Sequence, residues 1–141
     1  MISGKITRQS TTDDDLLCLL GISQWVFNSN CGFIMEMIDK EHHGNSEESW
    51  FSFLGLTAGK LKNYKNLMYE VLGDEIYNLF SDFVTKRNAI AHSLPTGKKV
   101  DGYAISIYRN DVTIEIDKPY LLDFIQQNEK LCDLIYAKRG Y

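Results

Sequence analysis

The residues best equipped for chemistry sit in one short run, TKRNAIAHSLP, Thr85 to Pro95, which sets an arginine, an asparagine and a histidine among small apolar residues. A histidine titrates near neutrality and can take or give a proton at physiological pH. A guanidinium is a permanent cation whose fixed fork of N–H donors suits an anion. Arg87, Asn88 and His92 are therefore the side chains to locate first.

Other motifs carry less. GLTAGKL, Gly55 to Leu61, is similar to a phosphate-binding loop but has one residue too few between its glycines and no Ser or Thr after the lysine. Its glycines read as turn or close-packing positions. Glu41, His42 and His43 are adjacent, so their side chains point to different sides of a helix, and no further ligand lies at a diagnostic spacing. No metal site is expected. The acidic run Asp13 to Asp15 fits the first turn of a helix, where negative charge meets the positive end of the helix dipole. Cys18, Cys31 and Cys132 are odd in number and widely spaced. They suggest neither a disulfide framework nor a C-x-x-C centre, and read as small buried hydrophobes.

The elements that must position Arg87 and His92 follow from periodicity. Residues 1–11 are polar, and Thr11 or Thr12 can cap a helix carrying Leu16, Leu19, Leu20, Trp25, Phe27, Ile34, Met35, Met37 and Ile38 as far as about Lys40. An irregularity between Asn28 and Gly32, or a division into two helices there, is open. After the connector EHHGNSEES and the apolar run Trp50 to Leu56, a helix is expected from Thr57 to a C-terminal glycine at Gly73. The next begins near Asp74 and stops before Pro95. Its apolar stripe is Ile76, Leu79, Phe80, Phe83, Val84, Ile90, Ala91 and Leu94, and Arg87 falls on that stripe by spacing.

PTGKKVDG then reads as a loop, after which the period changes from 3.6 to 2. A tight turn at Asn110-Asp111 pairs Ile107 with Ile114 and Ile105 with Ile116 on one face, and sets Ser106, Tyr108, Thr113 and Glu115 on the other. Asp117 caps the last helix, with Pro119 in its first turn and Leu121, Leu122, Ile125, Leu131, Leu134 and Ile135 as its stripe. The expected fold is mainly all-α: a single domain over residues 1–141, an up-and-down bundle of four to five helices with a small β-hairpin, residues 100–116, inserted before the last.

Arg87 on an apolar stripe is costly if simply buried, and tolerable if it faces a polar cleft or an anion. At about 100° per residue, Arg87 and His92 project about 140° apart, whereas Asn88 and His92 share a face. One straight helix does not aim both Arg87 and His92 at one small ligand. Two copies packed along the stripe could, giving a composite pocket with two arginines and two histidines. An internal role for Arg87, paired with a carboxylate or a helix C-terminus, is the alternative.

The run R-N-A-I-A-H, Arg87 to His92, resembles the motif of the HEPN superfamily: an arginine, four to six residues with a polar one often directly after the arginine, then a histidine. Its place at a helix end, before a loop and one closing helix, fits as well. The resemblance implies a homodimeric helical bundle that cleaves RNA without metal or cofactor, by attack of the 2′-hydroxyl, often in toxin–antitoxin or phage-defence (abortive-infection) settings. Arg87 would then orient and neutralise the scissile phosphate, His92 would act as general acid or base, and Asn88 would position the pair or the phosphate. In the branch paired with a nucleotidyltransferase antitoxin a tyrosine lies two residues after the histidine, and here that position is Leu94. A non-catalytic nucleotide- or RNA-binding or dimerisation module is the other implied possibility.

Composition bounds these expectations. The 141 residues are 44% hydrophobic and 24% charged with a net charge of −4, which fits one globular domain and argues against coating nucleic acid through bulk electrostatics. RNA contact would depend on a local cluster, for which Lys86, Lys98, Lys99 and Arg109 are available. No apolar run approaches a membrane span and the N-terminus has no apolar leader, so a cytoplasmic protein is expected, with a cognate antitoxin as a possible partner.

Overall fold

A computed structural model describes residues 6–7, 13–42, 65–99, 102–109 and 111–140, excepting the side chains at 39, 41, 42, 96–99, 102–104 and 109. Thr11, Thr12, His43, the Trp50–Leu56 run, the GLTAGKL segment and Asn110 lie outside the described residues. Within them the chain is helical, α1 (Asp14–His42), α2 (Lys65–Leu72), α3 (Asp74–His92) and α4 (Lys118–Arg139), with strands β1 (Leu94–Lys99), β2 (Gly102–Arg109) and β3 (Val112–Ile116) between α3 and α4. The expected bundle with a small antiparallel insertion is the architecture found. No described helix is long and apolar enough to cross a membrane.

Local chemistry sets the ends of the elements. Asp13 caps α1, its Oδ1 accepting from the Leu16 amide at 3.1 Å, while Asp14 and Asp15 sit in the first turn. A carboxylate at that position satisfies an otherwise unpaired amide and favours the dipole. The helix then runs without a break through Asn28–Gly32 to His42. Gly73 serves two helices at once: its amide donates to Tyr69 O at 3.0 Å and its carbonyl accepts from Tyr77 N at 3.2 Å. Its φ of +87° is one that side chains other than hydrogen rarely tolerate. Asp117 caps α4 by accepting from Tyr120 N at 2.9 Å.

Four phenylalanines knit the bundle. Phe27 of α1 stacks on Phe80 of α3 at 6.1 Å and meets Phe124 of α4 at 6.2 Å, and Phe83 meets Phe124 edge-on at 5.8 Å. All but Phe124 are fully enclosed, and Phe124 is 2% exposed. Helices α1 and α4 run in the same direction. Asp13 pairs with Lys118 near their starts, Asn30 with Asn128 midway, and Glu36 with Arg139 near their ends.

The sheet joins α3 to α4 at the end of the bundle where α1 begins, since Ala89 near the end of α3 and Leu121 near the start of α4 both gather there with Leu16. There Leu16, Ala89, Ile116 and Leu121 form a second core, against which Ile105, Ile107 and Ile114 pack. The register of β2 and β3 is as expected, with Ile105 opposite Ile116 and Ile107 opposite Ile114, and Asp111 turns with φ 61°. The insertion is larger than a hairpin over residues 100–116. Leu94–Lys99 form a third strand on β2, with an irregularity between Pro95 and Lys98. Pro95 and Gly97 gave that stretch the look of a loop, yet proline is tolerated in a strand at the edge of a sheet or at a bulge.

Several expected core positions are not buried. Trp25 is 77% exposed and Leu94 69%, Ala91 and Cys18 are also at the surface, and Leu122 is 48% exposed. Ala89, off the predicted stripe, is buried because the sheet end packs against the back of α3.

Candidate functional site around Arg87

Arg87 occupies the inward stripe of α3, one turn beyond Phe83 and Val84. The side chain is half-buried and folds across α1, where its Cζ lies 5.4 Å from the centroid of the Phe27 ring. Phe27 itself is fully buried and packs against Phe80 and Phe124, so the ring under the guanidinium belongs to the core. Such a cation over an aromatic face gains about 0.5–2 kcal/mol, more as water is excluded.

One turn further along α1, Cys31 closes the same side. Burial pushes its thiol up to about 12, and the nearby positive charge of Arg87 acts in the opposite sense. Burial wins, so Cys31 is a neutral thiol beside the cation. Asn28 and Gln24 continue the Cys31 side of α1 at helical spacing, and both are exposed.

Among the described residues the buried Nε of Arg87 has no hydrogen-bond partner, and no ion pair joins Arg87 to any of them. The expected alternative of an internal carboxylate partner is thus not what the described residues provide. A buried donor left unmade costs about 1–3 kcal/mol, comparable with the aromatic contact that offsets it. Arg87 is a guanidinium seated on an apolar platform with donor capacity to spare, an arrangement suited to an incoming anion.

Asn88, half-buried, follows one step round the helix, and His92 is the last helical residue and exposed. The helix stops there because Ser93 turns extended at ψ 151°, its Oγ donating to Ile90 O at 2.6 Å, and Pro95 forbids continuation. A cationic side chain at this end meets the negative pole of the helix dipole. Within one chain Arg87 and His92 stand about 140° and about 7.5 Å apart along the helix, and no hydrogen bond links them.

The remaining basic residues are dispersed. Lys86 pairs with Asp82 at 3.1 Å, lies 5.9 Å from the Phe83 ring centroid, and is near enough to Tyr120 of α4 to act on its hydroxyl electrostatically. It faces α4, not the Arg87 platform. Lys98 and Lys99 lie on β1 and Arg109 ends β2. Among the described residues no three His, Cys, Asp or Glu side chains gather as metal ligands, and the three cysteines are free.

Phe27 and Cys31 are the site residues that motif reasoning passed over. Phe27 was legible as core, but nothing local in the sequence pairs it with an arginine 60 positions later. Set beside known families, curated proteins and solved structures, the chain matches none of them.

Proposed function

We propose that the chain is a HEPN-type, metal-independent endoribonuclease that acts as a homodimer in the cytoplasm, in a toxin–antitoxin or phage-defence setting. The observation that carries the proposal is the guanidinium of Arg87, seated on Phe27 with a buried Nε that no described residue satisfies. A phosphodiester is the anion that the neighbouring Arg87-Asn88-x3-His92 pattern suits. Arg87 neutralises charge growing on the phosphate while Asn88 orients it. His92 serves proton transfer as the 2′-hydroxyl oxygen bonds to phosphorus and the bond to the 5′-oxygen breaks, leaving a 2′,3′-cyclic phosphate and a 5′-hydroxyl. The angle between Arg87 and His92 is the reason for a dimer, in which arginine and histidine of different copies meet over one phosphate.

Purified protein incubated with RNA and a chelator should produce fragments ending in cyclic phosphate. His92→Ala should slow cleavage by about 10²–10⁴-fold and Arg87→Ala by about 10²–10³-fold. Intact RNA, or cleavage by both variants at the parent rate, removes the proposal. The separation of the two side chains within one chain, with His92 exposed, favours a second reading: a non-catalytic nucleotide- or RNA-binding or dimerisation module. RNA retained without cleavage, and released by Arg87→Ala, selects it.

A further inference from the structure

On the other flank of α1, away from Arg87, the parallel helices α1 and α4 leave a groove of about 410 Å³ lined by Trp25, Val26, Ser29, Ile125, Glu129 and Cys132, with the Asn30–Asn128 pair at its floor. Large apolar side chains continue along it at the surface. Ile22 is 40% exposed, Trp25 77%, Leu122 48% and Tyr136 41%. On α4 the residues Leu122, Ile125, Glu129, Cys132 and Tyr136 recur at alternating spacings of three and four, the pattern of a helix that offers one face to another helix. An indole this exposed beside a concave apolar seam marks a contact surface more than a solvated one.

Charge identifies what fits. Among the described residues, the cations at the two ends of the seam are engaged within the chain, Lys118 with Asp13 at 2.9 Å and Arg139 with Glu36 at 3.3 Å. Between them, Glu129 lines the groove and Asp133 stands beside it, both close enough to Cys132 to act on its thiol. Neither carboxylate is in an ion pair with a described residue. A second copy docked by two-fold symmetry would set four of these carboxylates on one seam, which like-charge repulsion opposes. From Leu122 to Tyr136 the seam spans about 21 Å, the length of four helical turns.

We infer that the α1/α4 groove binds an amphipathic helix of a partner protein, of about four turns, with an apolar stripe that seats against Trp25, Ile125 and Leu122 and with Lys or Arg flanks facing Glu129 and Asp133. This inference is independent of the ribonuclease proposal, because the groove and Arg87 lie on different flanks of α1.

The test uses the full chain with Trp50→Phe, so that Trp25 is the sole tryptophan, titrated with synthetic helical peptides of about 20 residues. One peptide carries leucine at i, i+3, i+4 and i+7 with lysine elsewhere, and the other has glutamate in place of lysine. The lysine peptide should bind and shift Trp25 emission to the blue, and Glu129→Lys with Asp133→Lys should weaken it about tenfold or more while admitting the glutamate peptide. Trp25→Ser and Leu122→Ser, surface changes that leave the core intact, should weaken binding in an anisotropy assay with labelled peptide. Absence of binding, or equal binding of both peptides to both proteins, overturns the inference. So does a concentration-dependent dimer in sedimentation that Trp25→Ser dissolves, since a second copy then covers the face.

Discussion

The guanidinium of Arg87 lies over the ring of Phe27 at 5.4 Å, and Phe27 in turn packs against Phe80 of α3 and Phe124 of α4. One arginine on a core stripe is thereby tied to the packing of three helices. Its buried Nε has no partner among the described residues, which separates what the residue does for stability from what it can do for a ligand.

Arg87→Met tests that separation. Methionine fills similar space, keeps contact with the Phe27 ring and has no donor to leave unmade. Thermal unfolding should occur at the same temperature or a higher one, because loss of the unsatisfied Nε offsets loss of the aromatic contact. RNA cleavage or binding should disappear. A melting temperature lowered by more than about 10 °C, equivalent to roughly 3 kcal/mol or more, would instead make Arg87 a structural residue.

Phe27→Ala removes the platform and opens a cavity against Phe80 and Phe124. Urea unfolding should report a loss of about 3–5 kcal/mol. The milder Phe27→Leu keeps most of the volume, so the folded variant can be assayed for RNA. Cleavage should fall without loss of the helical circular dichroism signal, because the guanidinium loses the surface that fixes its direction. Unchanged cleavage would detach Phe27 from the site.

Cys31 supplies a pH-dependent prediction. Burial holds its folded-state thiol up to about 12, whereas an unfolded chain ionises near the usual thiol value of about 8.5. The stability is complete below that lower value and falls as pH rises through it toward the upper one, since the unfolded state gives up its proton first. Urea midpoints measured from pH 8 to pH 10 should therefore decline less steeply for Cys31→Val than for the parent. At pH 8 a thiol reagent should modify exposed Cys18 well before buried Cys31.

Periodicity and caps made most of the fold legible in the sequence. The Asp117 cap, the Gly73 junction and the Ile105–Ile116 register all depend on residues near one another in the chain, or on alternation, and each stands where those rules put it. Three features escaped for a shared reason. Trp25 belongs to an apolar stripe by spacing, but helix α1 is covered on some sides only. Ala89 is buried by a sheet folded back from residues later in the chain. The platform under Arg87 pairs residues on different helices. Arg87 and His92 could be singled out by type, while their surroundings depend on tertiary contacts that no local pattern encodes.

The buried pair Asn30 and Asn128 bears on how the platform is aligned. Asn30 Nδ2 donates to Asn128 O at 2.9 Å and to Asn128 Oδ1 at 3.1 Å, and Asn128 Nδ2 donates to Phe124 O at 2.9 Å. These bonds fix the axial register of α1 against α4 one turn from the Phe27–Phe124 contact. Asn128→Leu leaves the Asn30 amide group short of an acceptor in an enclosed place, which should cost about 1–3 kcal/mol. Asn30→Leu alone should cost a similar amount, because Asn128 then keeps an unmet acceptor. With both replaced by leucine no side-chain polar group is stranded between the helices, so the double variant should lose less than the sum of the singles by about 1 kcal/mol or more. Additive losses in a urea double-mutant cycle would show that the two amides contribute separately, and the register of α1 on α4 would then rest on the phenylalanine packing alone.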